Sequence, residues 1–146
     1  MPEPLYLPPL LELTPRPDLG MLFSRWHYQP ATPAALRPCY QELAELAVAT
    51  GCRFWLQDLR RRQSPDQDTK RWLLEDYYPA VTRRLGQRLF VAYLFSPAMH
   101  RLIVEAPDYA PPEAYSRSPY ALDFFGSEGE AVAWLQSHQG AALNEE

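Results

Sequence analysis

Four times along this chain a run of aromatic and aliphatic residues gives way at once to a helix-start signal. MLFSRWHY is followed by Thr32 and Pro33, CRFWLQDL by Ser64, Pro65, Asp66 and Gln67, RLFVAYLF by Ser96 and Pro97, and YALDFF by Ser127 with Glu130. Short apolar runs of this kind suit strands. Ser or Thr ahead of Pro, or with Glu or Gln three positions on, caps and opens helices. A strand that leads each time into a helix restricts the fold severely. Right-handed crossovers between such units build an α/β domain with a mixed, mostly parallel sheet and helices on one or both faces.

The remaining signals fill in the order. LLEL and MLFSRWHY, separated by TPRPDLG, predict a β-hairpin that opens the domain. Leu36, Cys39, Tyr40, Leu43, Leu46 and Ala47 recur at helical spacing until Gly51 stops the helix, although Pro38 should kink it or delay its start. Trp72, Leu73, Tyr77, Ala80, Val81 and Leu85 mark a second helix, bent at Pro79 and closed by Gly86. A short helix runs from Ser96 to about Val104. Residues 107–119, with four prolines and no periodicity, predict a surface loop. Ala131, Val132, Trp134 and Leu135 give the last helix an apolar stripe, and GAALNEE reads as a frayed end. The expected organisation is an arm over 1–9, one domain over 10–138 and a flexible tail over 139–146.

Composition narrows the function classes. A chain of 146 residues with 47% hydrophobic and 22% charged residues has the size and usage of one globular domain. A net charge of −4 offers no basic field for nucleic acid, and no membrane insertion is expected. The N-terminal stretch carries no cationic leader signal, which predicts a cytoplasmic protein. Cys39 and Cys52, thirteen positions apart and without a C-x-x-C pair, predict buried, reduced thiols rather than a disulfide or a zinc site. No glycine-rich phosphate motif follows any of the strands, so no cofactor is expected.

A hairpin followed by four strand-helix units resembles the SpoIIAA-like fold of STAS domains and of the small proteins called STAS/SEC14-like. The similarity spans about residues 10–138. It is carried by Trp26, by F-W-L-Q-D-L-R from Phe54 to Arg60, and by Trp72 with Pro79. The resemblance implies a non-enzymatic regulatory or protein-interaction module. In that family a serine in a D-S-S-G-like segment after this strand is phosphorylated to control binding of an anti-sigma-factor kinase. This chain reads D-L-R-R-R-Q-S-P-D-Q there, so Ser64 is the one serine the resemblance offers as a possible phosphoacceptor, and arginines replace the small, glycine-containing segment. A phosphate at a helix start beside Arg60, Arg61 and Arg62 would be electrostatically favourable, yet the same position accounts for a plain N-cap.

The best site expectation is a crevice at the carboxyl end of the third strand, where open α/β sheets place ligands. Asp58, Arg60, Arg61 and Ser64 would form it, together with Tyr109 and Tyr115 from the late loop, tyrosine being favoured at recognition surfaces. An ion pair between Asp58 and an arginine is the simpler reading of those charges. His27, His100 and His138 lie too far apart in sequence to predict a metal site. Ser24, Ser64 and Ser96 lack a nucleophile elbow, and Glu42, Glu45, Glu75 and Asp76 fit solvated helix faces, so no catalytic residue is nominated. Two functions follow as expectations: interaction with another protein or a second copy of the chain, or binding of a small molecule or lipid in the crevice near Asp58 and Arg60.

Overall fold

A computed structural model describes residues 5–7, 11–27, 33–61, 67–115 and 117–145. Six strands form one sheet in sequential order: β1 (Leu5–Leu7), β2 (Leu11–Arg16), β3 (Met21–Trp26), β4 (Phe54–Asp58), β5 (Leu89–Leu94) and β6 (Tyr120–Phe125). β1, β2 and β3 pair antiparallel, and β3 to β6 pair parallel. The fold is α/β with a mixed sheet. The opening hairpin and the four strand-helix units all form, and the segment expected as a loose arm contributes an edge strand of its own.

Between the parallel strands run α1 (Pro33–Thr50), then α2 (Gln67–Trp72), a π-helical turn (Leu73–Tyr77) and α3 (Tyr78–Leu85), then α4 (Pro97–Val104). α5 (Glu128–Glu145) follows β6. Because the sheet advances by one strand each time in the same direction, crossovers of one hand must share a face. They do. Leu36, Tyr40, Leu43, Tyr77, Tyr78 and Val81 pack with Trp26, Trp55, Val91 and Leu122 on this front face, joined by Met99 and Ile103 of α4. Among the described residues the back face receives only α5, whose Ala131 and Leu135 cover Phe23, Phe54, Leu56, Phe90 and Ala92. β4 and β5 are buried along their whole lengths, as strands of a sheet covered on both sides must be.

One helix is narrow for a sheet of this width, and long cationic side chains close the gap. The guanidinium carbons of Arg16, Arg53 and Arg88 lie 5.6, 5.0 and 5.5 Å from the rings of Phe23, Phe54 and Phe90, their side chains shielding apolar surface. His138 of α5 stacks on Phe90 at 4.5 Å, and burial followed by the Arg88 charge holds its pKa below the ordinary value. Gln139 Nε2 donates to the carbonyl of Leu19 at 2.8 Å, tying α5 to the β2–β3 turn. The tail expected from residue 139 onward is helical as far as Glu145.

Two prolines behave unlike their sequence reading. Pro38 sits inside α1 without delaying its start at Pro33. Its missing N–H would have met Ala34, in the first turn. Pro79 is accommodated by the π turn ahead of it. The Tyr78 N–H donates to the Leu73 carbonyl, five residues back, and Pro79 occupies the opening turn of α3. The wider turn relieves the clash a helix-interior proline otherwise makes. It also buries two consecutive aromatics, Tyr77 and Tyr78, which a regular helix would separate by 100°.

The core holds a row of polar groups in front of β3, β4 and β5. Ser24, Gln57 and Tyr93 are register partners across these strands. Trp26 Nε1 donates to Gln57 Oε1 at 2.7 Å, and the hydroxyls of Tyr78 and Tyr93 hydrogen-bond each other. Ser24 Oγ and Gln57 Nε2 have no protein partner among the described residues.

Leu135 is fully buried as an apolar anchor of α5 on the back face. Its replacement by Ala should lower unfolding free energy by about 2–5 kcal/mol, read from urea midpoints.

Candidate functional site

Side-chain alternation divides the carboxyl end of the sheet into two sites. Along β4, Phe54, Leu56 and Asp58 point to the back, while Trp55, Gln57 and Leu59 point to the front. The crevice expected to unite Asp58 and Arg60 with Tyr109 and Tyr115 is therefore two separate depressions, one on each face. Ser64 lies outside the described residues.

At the back, Asp58 is the centre of an ion network. Arg60 grips it with Nε to Oδ1 at 3.0 Å, Nη2 to Oδ2 at 2.8 Å and its own backbone N–H to Oδ1 at 3.1 Å. Arg25 Nη1, from the neighbouring strand, donates to Oδ2 at 3.1 Å. Both guanidiniums also reach Glu128 Oε1 in the first turn of α5, at 3.4 and 3.7 Å. Burial opposes the charge on Asp58, yet the hydrogen bonds and charges of Arg60, with Arg25 behind them, outweigh it and hold the carboxyl below the usual aspartate range. The arrangement fastens α5 to the ends of β3 and β4. Arg61 is exposed and lines a space of about 420 Å³ with Glu12, Arg25 and His27. The ion pair proposed as the simple account of Asp58 is present, and its acceptor positions are already occupied by arginine.

At the front lies a cavity of about 400 Å³ over the carboxyl ends of β4, β5 and β6. The sheet supplies Leu59, Tyr93, Phe95, Leu122 and Phe124; the π turn supplies Leu73 and Leu74; α4 and the loop behind it supply Ile103, Ala106, Tyr109 and Tyr115. Lys70, Arg71, Glu75 and Asp108 stand among the lining residues as its charged groups. The two loop tyrosines named from the sequence belong here. Tyr109 meets Phe124 edge-on at 6.0 Å, and burial, then the carboxylates of Asp123 and Glu113, raise its pKa. Tyr115 packs 6.0 Å from Tyr120, while its carbonyl accepts from Arg88 Nη2, which fixes this end of the loop. Residues Pro112–Tyr115 form a 3₁₀ turn within what reads in sequence as an irregular segment.

The π turn shapes this cavity directly. With the Tyr78 N–H drawn to Leu73, the Leu74 carbonyl is left to accept the Tyr120 hydroxyl at 2.7 Å. The π turn and the edge strand β6 are thereby joined beside the cavity.

Tyr93, Phe95 and Phe124 were not nominated from the sequence, because on strands they read as core. Their signal is position: Tyr93 and Phe95 flank the last residue of β5, and Phe124 stands one residue before the end of β6. Neither cysteine is disulfide-bonded; Cys39 is buried, and Cys52 is half-buried rather than fully buried as expected. The three histidines are half-buried. Among the described residues no three His, Cys, Asp or Glu side chains converge as a metal site, and no helix is long and apolar enough to cross a membrane.

Asp58 sets an acid limit to stability. A carboxyl whose folded pKa lies below the unfolded value of about 3.9 favours folding fully above that value, and the contribution disappears as pH falls through the lower folded value. Urea midpoints of the wild type should therefore decline from about pH 5 downward, whereas Asp58→Asn should start less stable at neutral pH and show a flatter acid limb.

Compared with family models, with curated proteins and with solved structures, the chain matches none.

Proposed function

We propose that this protein is a binding module of SpoIIAA-like layout whose front cavity holds a small, mainly apolar molecule. The cavity itself carries the proposal: about 400 Å³, mostly aromatic and aliphatic, with a few charged groups, at the carboxyl ends of parallel strands. Open α/β sheets place ligands at such ends, and pockets of this size and lining suit small molecules. The SpoIIAA-like layout is supported by the opening hairpin and by the sequential strand order, with the helices arranged as the sequence pattern implies.

This reading moves the ligand from the vicinity of Asp58 and Arg60, whose charges satisfy one another, to the space beside Tyr109 and Tyr115. A regulatory role fits the same module, with occupancy of the cavity as the signal that a protein partner or a second copy would sense. The regulatory serine expected from the family resemblance is Ser64, just ahead of α2, and α2 carries Lys70 and Arg71 of the cavity. Phosphorylation there and ligand binding would thus act on one helix.

Ala106 is a small, half-buried lining residue on the loop side. Ala106→Trp should fill the cavity and abolish saturable uptake of the neutral fluorescent probe N-phenylnaphthylamine, with the circular dichroism spectrum unchanged. Absence of uptake by the wild type, or equal uptake by the variant, would refute the proposal.

A further inference from the structure

The sheet side of the cavity is built from rings of nearly one orientation. Tyr93 and Phe124 are register partners on β5 and β6, with centroids 5.6 Å apart and planes 17° from parallel. Phe95 continues the set at 6.2 Å and 20° from Tyr93, and at 6.2 Å and 29° from Phe124. Tyr109 closes against Phe124 edge-on, its plane turned by 63°. Facing these from the helices are the aliphatic side chains of Leu73, Leu74 and Ile103.

We infer that the occupant of this cavity is a planar aromatic molecule rather than a flexible alkyl chain, an inference that rests on the cavity being a binding site. A slot with a ladder of near-parallel rings on one side and branched aliphatics on the other matches a flat body. A further ring can take an offset-stacked place beside Tyr93, Phe95 or Phe124 and an edge contact with Tyr109, the two geometries aromatic pairs prefer. An alkyl chain gains burial but neither of these, and it gives up rotamer freedom that a rigid ring system does not have to lose. Charge contributes little to the choice. Lys70 and Arg71 are matched in number by Glu75 and Asp108, so the lining imposes no net sign.

Two neutral probes of similar apolar size and one hydroxyl each, naphthol and octanol, separate the alternatives by isothermal titration calorimetry on the full chain. The wild type should bind naphthol about three- to tenfold more tightly than octanol, the range expected of one or two added aromatic contacts. Phe124→Leu, which keeps an apolar side chain at a half-buried position, should bring the two affinities within about twofold by weakening naphthol alone. Phe95→Leu serves the same purpose should the first variant not fold. Octanol bound as tightly as naphthol by the wild type would overturn the aromatic preference while leaving the cavity a binding site. An unchanged ratio in the folded leucine variants would overturn it as well. Failure of both probes to bind, as when a second copy or the chain itself fills the space, would overturn both readings, and octanol binding without naphthol would overturn the aromatic preference.

Discussion

β4 and β5 have water on neither side, and the ways in which their two faces are covered differ in kind. On the front, three crossovers deliver three sets of helices, because a sheet that grows in one direction through connections of one hand can place them nowhere else. The back is left with the chain's last helix. That helix is held at its start by Glu128 at the Arg25–Asp58–Arg60 network and further along by Gln139 at the β2–β3 turn. Beside α5, arginines lie over the same phenylalanines that the helix covers. The charges most visible in the sequence are in this sense structural: they complete a covering that the topology leaves unfinished.

The front face has the opposite problem, an excess of cover with a break in it. α1 and α3 lie over the middle of the sheet, and α4 is too short to reach them. Between α2 and α4 the strand ends carry aromatic side chains that face the cavity, and the loop over 107–115 supplies its remaining wall. Next to this interval the core is polar. The row of Ser24, Gln57 and Tyr93 retains two buried polar atoms without protein partners among the described residues, and each such group costs about 1–3 kcal/mol. Tyr93 belongs to both, its hydroxyl bonded to Tyr78 and its ring lining the cavity. The hydroxyl bond fixes the direction of the ring, so the polar row also orients one of the cavity's surfaces.

Much of the fold was legible because its signals are local. Ser96 accepts from the Met99 N–H and Ser127 from the Glu130 N–H, as their spacing implies, and Gly86 ends α3 at a φ of 71°, a left-handed conformation that favours glycine. The site was less legible because it depends on relations between segments. Whether Asp58 or Leu59 faces the late loop is decided by which face the crossovers occupy, and no property of residues 54–60 alone contains that information. Tyr109 and Tyr115 were found by their loop, whereas Tyr93 and Phe124 were hidden by looking like any buried strand residue. Pro79 was seen as a disturbance, but its resolution as a wide turn rests on Tyr77 and Tyr78 both finding places in the core. The added strand at Leu5–Leu7 escaped notice because prolines surround it, and an edge strand tolerates them.

The wide turn at Leu73–Tyr77 can be regarded as a surplus residue carried within a helix. Removing one residue from that turn would restore the regular ladder of backbone bonds and rotate everything on its amino-terminal side by about 100°. Lys70, Arg71 and Leu74 would leave the cavity wall, and the Leu74 carbonyl would return to the helix instead of meeting Tyr120. Every lining side chain could remain chemically the same while the space between them closed. The existence of this cavity is thus encoded less in the identity of its walls than in a count, one more residue between Trp72 and Pro79 than a regular helix would use.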